Sequence, residues 1–222
     1  MLGFPQATEF NKRIPKQKFY ENLAGAASLK KAFAEQIKTI YWRNKLSVAT
    51  LSIDKGEAVG EIEVLELKLS KPFVDEAVLR QIDKQIPYHI VFALTCEDKV
   101  QVRIGYKQAA APGSSVFKVG RYYCSEWVKE GDIRLSIEGL NMDAIYENLV
   151  RQVAGEALSG KGGESLQESV ERDERRRQLQ RQLEGLEIKL QREKQLNIRV
   201  EINAGIKKLK AELEKYKAGG NI

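Results

Sequence analysis

Residues 164 to 217 contain no proline and are dominated by Glu, Lys, Arg, Gln and Leu. Within them Leu179, Leu183, Leu186 and Leu190 follow a 4-3-4 spacing, and Ile202, Ile206, Leu209, Leu213 and Tyr216 follow 4-3-4-3. Each set falls along one stripe of a helix, as in a coiled-coil seam. An apolar stripe on an otherwise charged helix has no core of its own and has to find a second helix. The step from Leu190 to Ile202 is 12 positions, two short of two heptads, so one straight helix does not keep both seams on one side. The tail therefore bends, stutters or folds back; unbroken, about 50 residues of helix would reach about 75 Å. Three occupants suit the seam residues Leu179, Leu183, Leu186, Leu190, Ile202, Ile206, Leu209 and Leu213: the tail's own second half, another copy of the chain, or a different protein.

Upstream, the small-residue stretch around 156–163 reads as a linker. Residues 28–155 alternate helical and strand periodicities. Helices are expected over 28–40, with Ser28 as its cap, over 72–85 and over 141–153. Strands are expected at 46–53, 60–69, 88–95, 100–106, 116–119, 122–127 and 133–137, with a turn at Asp54-Lys55-Gly56-Glu57 and a loop over 108–115. The fold class is α+β: a mixed, mostly antiparallel sheet with flanking helices, followed by a long helical coiled-coil tail. Residues 1–27 read as a basic N-terminal arm, because Pro15 interrupts any regular helix there.

Charge is distributed unevenly. The net charge is 37 − 31 = +6; residues 1–45 carry 9 basic and 3 acidic groups, residues 46–160 carry 13 and 17, and residues 161–222 carry 15 and 11. Positive ends around a mildly acidic centre suit an anionic partner such as nucleic acid. No apolar run approaches the roughly 18 residues of a membrane-spanning helix, which excludes that class. The opening Met1-Leu2-Gly3-Phe4-Pro5 has no secretory pattern, so a cytoplasmic chain is expected. Cys96 and Cys124 sit in apolar segments and read as buried thiols.

The segments FPQATEFNKRIPKQKFYENL, IYWRNKLSVATLSI, EIEVLELKL, IDKQIPYHIVFAL and EKQLNIRVEIN together resemble an uncharacterised bacterial family, domain of unknown function 4391, over nearly the whole chain. The tail departs from the family's pattern at Leu196, where an aromatic is frequent, and at Ile198, where a base is frequent. The resemblance implies a context rather than an active site: such proteins tend to be encoded near DNA methyltransferases and helicases in restriction-modification-like or phage-defence clusters.

Three chemistries can be read from the residues. Asp54 followed by Glu66-Leu67-Lys68 has the order of a PD-(D/E)xK nuclease. There two carboxylates, here Asp54 and Glu66, hold Mg²⁺ or Mn²⁺ while a lysine, here Lys68, positions the attacking water. Glu35 is an additional carboxylate on the preceding helix. The same residues also suit a tight turn and a solvated sheet face, and no cofactor is expected if that is their role. Lys12, Arg13, Lys16 and Lys18 among Phe10, Phe19 and Tyr20, with Arg43 and Lys45 beside Tyr41 and Trp42, pair cations with aromatics in the manner of a nucleic-acid surface. Gly155 to Gly162 has phosphate-loop spacing up to Lys161, but Gly162 stands where a metal-binding hydroxyl is required, so the segment belongs to the linker. His89, the single histidine, lies in an apolar run and reads as a core residue, which leaves no zinc site or triad.

The functional expectation is an accessory subunit of a DNA-processing or phage-defence complex. It docks by its helical tail onto a larger partner, a helicase or methyltransferase, and contacts nucleic acid with its basic arm. The alternatives are the Mg-dependent nuclease and a self-assembling structural protein that forms a homo-oligomer.

Overall fold

A computed structural model describes residues 2–22, 27–109, 117–159 and 163–216. The chain divides into two compact units, Met1–Ala154 and Gly155–Ile222. The first is built on an open mixed sheet of the strands β1 (Glu9–Ile14), β2 (Ile37–Ser47), β3 (Glu61–Leu69), β4 (His89–Cys96), β5 (Lys99–Ala109) and β6 (Phe117–Cys124), which lie in that order, with the short β7 (Val128–Lys129) pairing with β5. Among these strands only β3 and β4 run parallel; the other strand pairs are antiparallel. A parallel pair requires a crossover, and α4 (Glu76–Gln85) supplies it.

One face of the sheet packs on α1 (Lys16–Glu21), α2 (Ala27–Gln36) and α4. Phe19, Phe33, Val78, Leu79 and Ile82 from these helices meet Ile40, Leu65, Leu67, Ile90, Phe92 and Leu94 from the strands. The other face carries α5 (Met142–Ala154), which buries Ile145, Tyr146, Leu149, Val150 and Val153. Strand β4 is buried along its whole length, which explains its near-continuous apolar sequence. Between β2 and β3 lie one helical turn, α3 (Val48–Leu51), with a capping box from Ser47 and Thr50, and a connection clasped by α5. The Asp143 carboxylate accepts from the backbone N–H groups of Glu57 and Val59 at 2.7 Å and of Ala58 at 3.2 Å. Gly56 is required there, because a Cβ would lie 2.3 Å from Asp143 Oδ1.

Several expectations are corrected. The expected arm over residues 1–27 is not separate where it is described: β1 is hydrogen-bonded to β2 and Phe19 enters the core, while residues 1 and 23–26 lie outside the described residues. The strand read at 46–53 lies earlier, at 37–47, and the helix before it ends at Gln36. Ile37 and Ile40 fit either period, and pairing with β3 decides between them. Residues 133–137 form no strand, although Leu135 donates to the Leu2 carbonyl at 2.9 Å. Residues 110–115 of the expected loop, and Gly160, Lys161 and Gly162 of the linker, lie outside the described residues, while Gln108 and Ala109 belong to β5.

The second unit holds α6 (Leu166–Arg192), opened by a Ser165–Glu168 capping box, and α7 (Leu196–Glu214). The helix breaks at residues 193–195, within the 12-position step between the seams, and α7 returns antiparallel along α6. Arg175 pairs with Glu212 at 2.6 Å, Lys210 with Glu187 at 3.1 Å, and Gly205 faces Leu186. Of the three occupants open to the seam, the first half meets the second. No helix among the described residues is long and apolar enough to cross a membrane.

Candidate functional site

The acid–lysine set is separated along the sheet. Glu66 and Lys68 lie in the second half of β3, on the face opposite Leu65 and Leu67, as strand alternation dictates. Asp54 lies in the connection that precedes β3, where its backbone bridges to Asn141 and accepts from Met142 N–H at 3.2 Å. Glu66 is buried and fully engaged. Its Oε2 meets Arg43 Nη2 at 2.6 Å and Nε at 2.8 Å, and its Oε1 accepts from the Thr95 hydroxyl at 3.0 Å. Lys68 is exposed, with its ammonium 5.5 Å from the Tyr41 ring centroid. Glu35 pairs with Lys31 on the surface of α2. No group of three or more His, Cys, Asp or Glu side chains converges among the described residues.

The predicted basic residues divide between two faces. Arg13 is the register partner of Tyr41, whose ring also carries the Arg43 guanidinium at 4.6 Å and the Lys68 ammonium. These four residues make a basic-aromatic patch on the sheet face away from α1, α2 and α4. Lys12 and Lys18 are exposed, with Lys12 4.2 Å from the Phe10 ring centroid. Lys16 turns inward. It donates to the carbonyls of Ala34, at 3.0 Å, and Ile37, and burial holds its ammonium below the usual lysine range. Lys45 pairs with Glu61 at 2.6 Å, a contact that raises its pKa.

A feature the sequence reading missed lies on the opposite face of the same strands. Phe19, Trp42, Leu65, Gln85, Tyr88 and Glu63 line a cleft of about 220 Å³ between α1, the middle of the β2–β3 pair and the connection that follows α4. Glu63 is the single charged residue in the lining and is 2% exposed, and its carboxyl, in the protonated form, donates to that of Glu61. Burial, reinforced by the neighbouring Glu61 carboxylate, pushes its pKa up to about 9, against the pull of Lys45 and the Trp42 indole. The signal was present in the sequence: in EIEVLELKL, alternation puts Glu63 on the side of Leu65 and Leu67, the core side.

Behind the α4–β4 wall of this cleft is a second buried polar group. Lys107 Nζ stands 2.8 Å from Asp83 Oδ1 and donates to the carbonyl of Tyr88, while the Tyr122 hydroxyl donates to Asp83 Oδ2. Burial raises the Asp83 carboxyl and the Lys107 ammonium pulls it back down; burial and Asp83 both raise the Tyr122 phenol. Across the sheet, Tyr146 accepts from Lys107 N–H at 2.9 Å and donates to the Gly105 carbonyl at 2.7 Å. His89 packs edge-on against Tyr146 and Phe117, at 4.3 and 4.9 Å between centroids, and burial lowers its pKa to about 3. It is a neutral core residue.

In the tail, Leu179 and Ile206 are buried, and Leu183, Leu186, Leu190, Ile202, Leu209 and Leu213 are half-buried. Exposed apolar side chains remain around the turn of the hairpin: Ile188 at 50%, Leu196 at 76% and Val200 at 62%. The seam spacing does not single out these three.

Neither the curated proteins nor the solved structures offer a significant match to this chain. One family model matches residues 2–213, covering both the sheet unit and the helical hairpin, and on that match the chain belongs to the family described as Domain of unknown function (DUF4391).

Proposed function

We propose that the chain is an accessory, non-catalytic subunit of a bacterial DNA-processing or phage-defence complex, docking through its helical hairpin onto a larger partner, a helicase or DNA methyltransferase. The observation that carries this reading is the exposed trio Ile188, Leu196 and Val200 around the hairpin turn. Three large apolar side chains exposed on either side of one turn in a charged helical pair favour a protein contact. The patch of Arg13, Tyr41, Arg43 and Lys68 supports a secondary role in holding nucleic acid, with cations for phosphate and a ring for a base. Glu66 supports the non-catalytic assignment, since both its oxygens are committed to Arg43 and Thr95.

The test mixes the full-length chain with a purified helicase or methyltransferase encoded beside it and reads complex mass by light scattering. It is repeated with the Ile188→Glu/Leu196→Glu/Val200→Glu variant. A complex formed by the wild type and lost in the variant supports the reading, and a complex retained by the variant overturns it. A wild-type chain that doubles in mass alone, and a variant that stays monomeric, would establish self-assembly instead.

A further inference from the structure

The sheet face away from α1, α2 and α4 arranges its cations in a definite order. Arg13 on β1, Tyr41 on β2 and Lys68 on β3 follow one another across three adjacent strands; Arg13 is the register partner of Tyr41, and Lys68 that of Thr39, two residues before it. With strands about 4.8 Å apart, the two cations stand about 10 Å apart across the sheet, with the ring on the strand between them. Arg13 and Lys68 are exposed and form no ion pair among the described residues, so their charge is available to a ligand. Arg43 has a different part. Its guanidinium is held by Glu66 at 2.6 and 2.8 Å and by the Asn11 amide oxygen at 3.2 Å, and it lies 4.6 Å from the Tyr41 ring centroid. Its charge is neutralised by Glu66, and its position steadies the ring. Arg43 and Lys68 reach Tyr41 from opposite ends of β2, since Arg43 follows it by two residues and Lys68 lies opposite Thr39. The Arg43 side is pinned, whereas the Lys68 side ends in an ammonium on a flexible four-carbon stem that turns aside at little cost.

We propose that this patch binds single-stranded nucleic acid, one base stacking on Tyr41 in place of the Lys68 ammonium while Lys68 and Arg13 take the phosphates on either side. This rests on the nucleic-acid role given to the patch above and makes its ligand specific; it does not depend on docking by the hairpin. Tyr41 is half-buried in the sheet, so the base has to come to the ring. A duplex offers base edges in its grooves and keeps the base faces stacked on one another. Only an unpaired base lies flat on a ring set in a sheet, which is how single-strand binding surfaces work. The surrounding charge agrees: residues 1–45 carry 9 basic and 3 acidic groups, which favours a polyanion at this edge of the sheet.

The experiment is fluorescence anisotropy of the full-length protein with labelled strands of about 15 nucleotides, the upper end of a small single-strand site: oligothymidylate, oligouridylate, an abasic strand and a duplex. Tyr41→Leu and Arg13→Ala/Lys68→Ala are titrated beside the wild type, from about 50 to about 200 mM salt. The expected result is saturable binding of at least one of the two base-bearing single strands, about tenfold tighter than the abasic strand or the duplex. Tyr41→Leu should lose about tenfold on that strand and nothing on the abasic one. Arg13→Ala/Lys68→Ala should weaken binding and make the slope of log affinity against log salt shallower by about 1.4, about 0.7 for each phosphate contact removed. Both of these side chains are exposed, so the double variant stays folded and informative even if Tyr41→Leu does not. The proposal is overturned if neither base-bearing single strand saturates, if the duplex or the abasic strand binds as well, or if affinity and salt slope survive the double variant unchanged. The Ile188→Glu/Leu196→Glu/Val200→Glu variant should bind the strand as the wild type does, which separates failure of this site from failure of docking; loss of strand binding there would move the site to the hairpin and overturn the proposal.

Discussion

The sheet unit and the helical hairpin use charge in opposite ways. In the hairpin the cross-helix ion pairs Arg175–Glu212 and Lys210–Glu187 lie at the surface, where screening and side-chain entropy leave them little net effect. The hairpin relies on half-buried leucines and on helix formation itself. In the sheet unit, Asp83 and Lys107 are almost fully removed from water, Glu66 is enclosed by Arg43 and Thr95, and Glu63 is buried against Glu61. Apart from Asp173, buried in α6 against Arg176 and Arg177, charge in the hairpin keeps it solvated, whereas charge in the sheet unit fixes particular geometries at high energetic stake.

The largest expected effect is at Asp83. Asp83→Ala leaves the Lys107 ammonium buried without its counter-ion and should lower stability by about 3–5 kcal/mol, read from denaturant unfolding. The double change Asp83→Leu/Lys107→Met should recover most of that. A loss below about 1 kcal/mol, the surface-pair range, would erase the contrast between the two units.

Glu63 sharpens the contrast through pH. Its folded pKa of about 9 lies above the ordinary glutamate value, so the stabilisation it retains is complete in acid. That stabilisation declines as pH rises through the usual carboxylate range, where the unfolded chain ionises first, until the folded carboxyl ionises near 9. Midpoints measured at pH 5, 7 and 9 should fall steadily for the wild type. Glu63→Leu should flatten that slope and add about 1–3 kcal/mol at pH 8. A wild-type profile no steeper than that of the variant would remove Glu63 from the account.

The smallest effect belongs to the hairpin. Gly185 lies inside α6 with nothing within 4 Å of where a Cβ would stand. Gly185→Ala should raise the stability of this unit by about 0.5–1 kcal/mol through helix propensity alone, seen as slower amide exchange in α6. Destabilisation there would mean that the glycine is needed for a close approach.

Legibility in the sequence followed how local each determinant is. The hairpin helices, β3, β4, α4 and α5 have one period each and could be read directly. β1 could not, because Asn11 adopts a left-handed φ of 47° and the register shifts between Glu9 and Lys12. The Glu66–Lys68 side of β3 drew attention as charge on an apolar strand, but its partner Arg43 sits at a register shift of β2 that only strand pairing reveals. The cleft depends on Phe19, Glu63 and Tyr88 converging from three distant segments. Periodicity could flag Glu63 as misplaced but not what surrounds it.

Strand β1 lies at one edge of the sheet. An edge strand is an open template for a strand from another chain, yet here it is bent at Asn11, studded with Lys12 and Arg13, and stopped by Pro15. These devices discourage backbone-to-backbone association and the aggregation that follows from it. Association of this protein along that edge is thus left to side-chain complementarity, which depends on sequence, and is closed to generic strand addition, which does not.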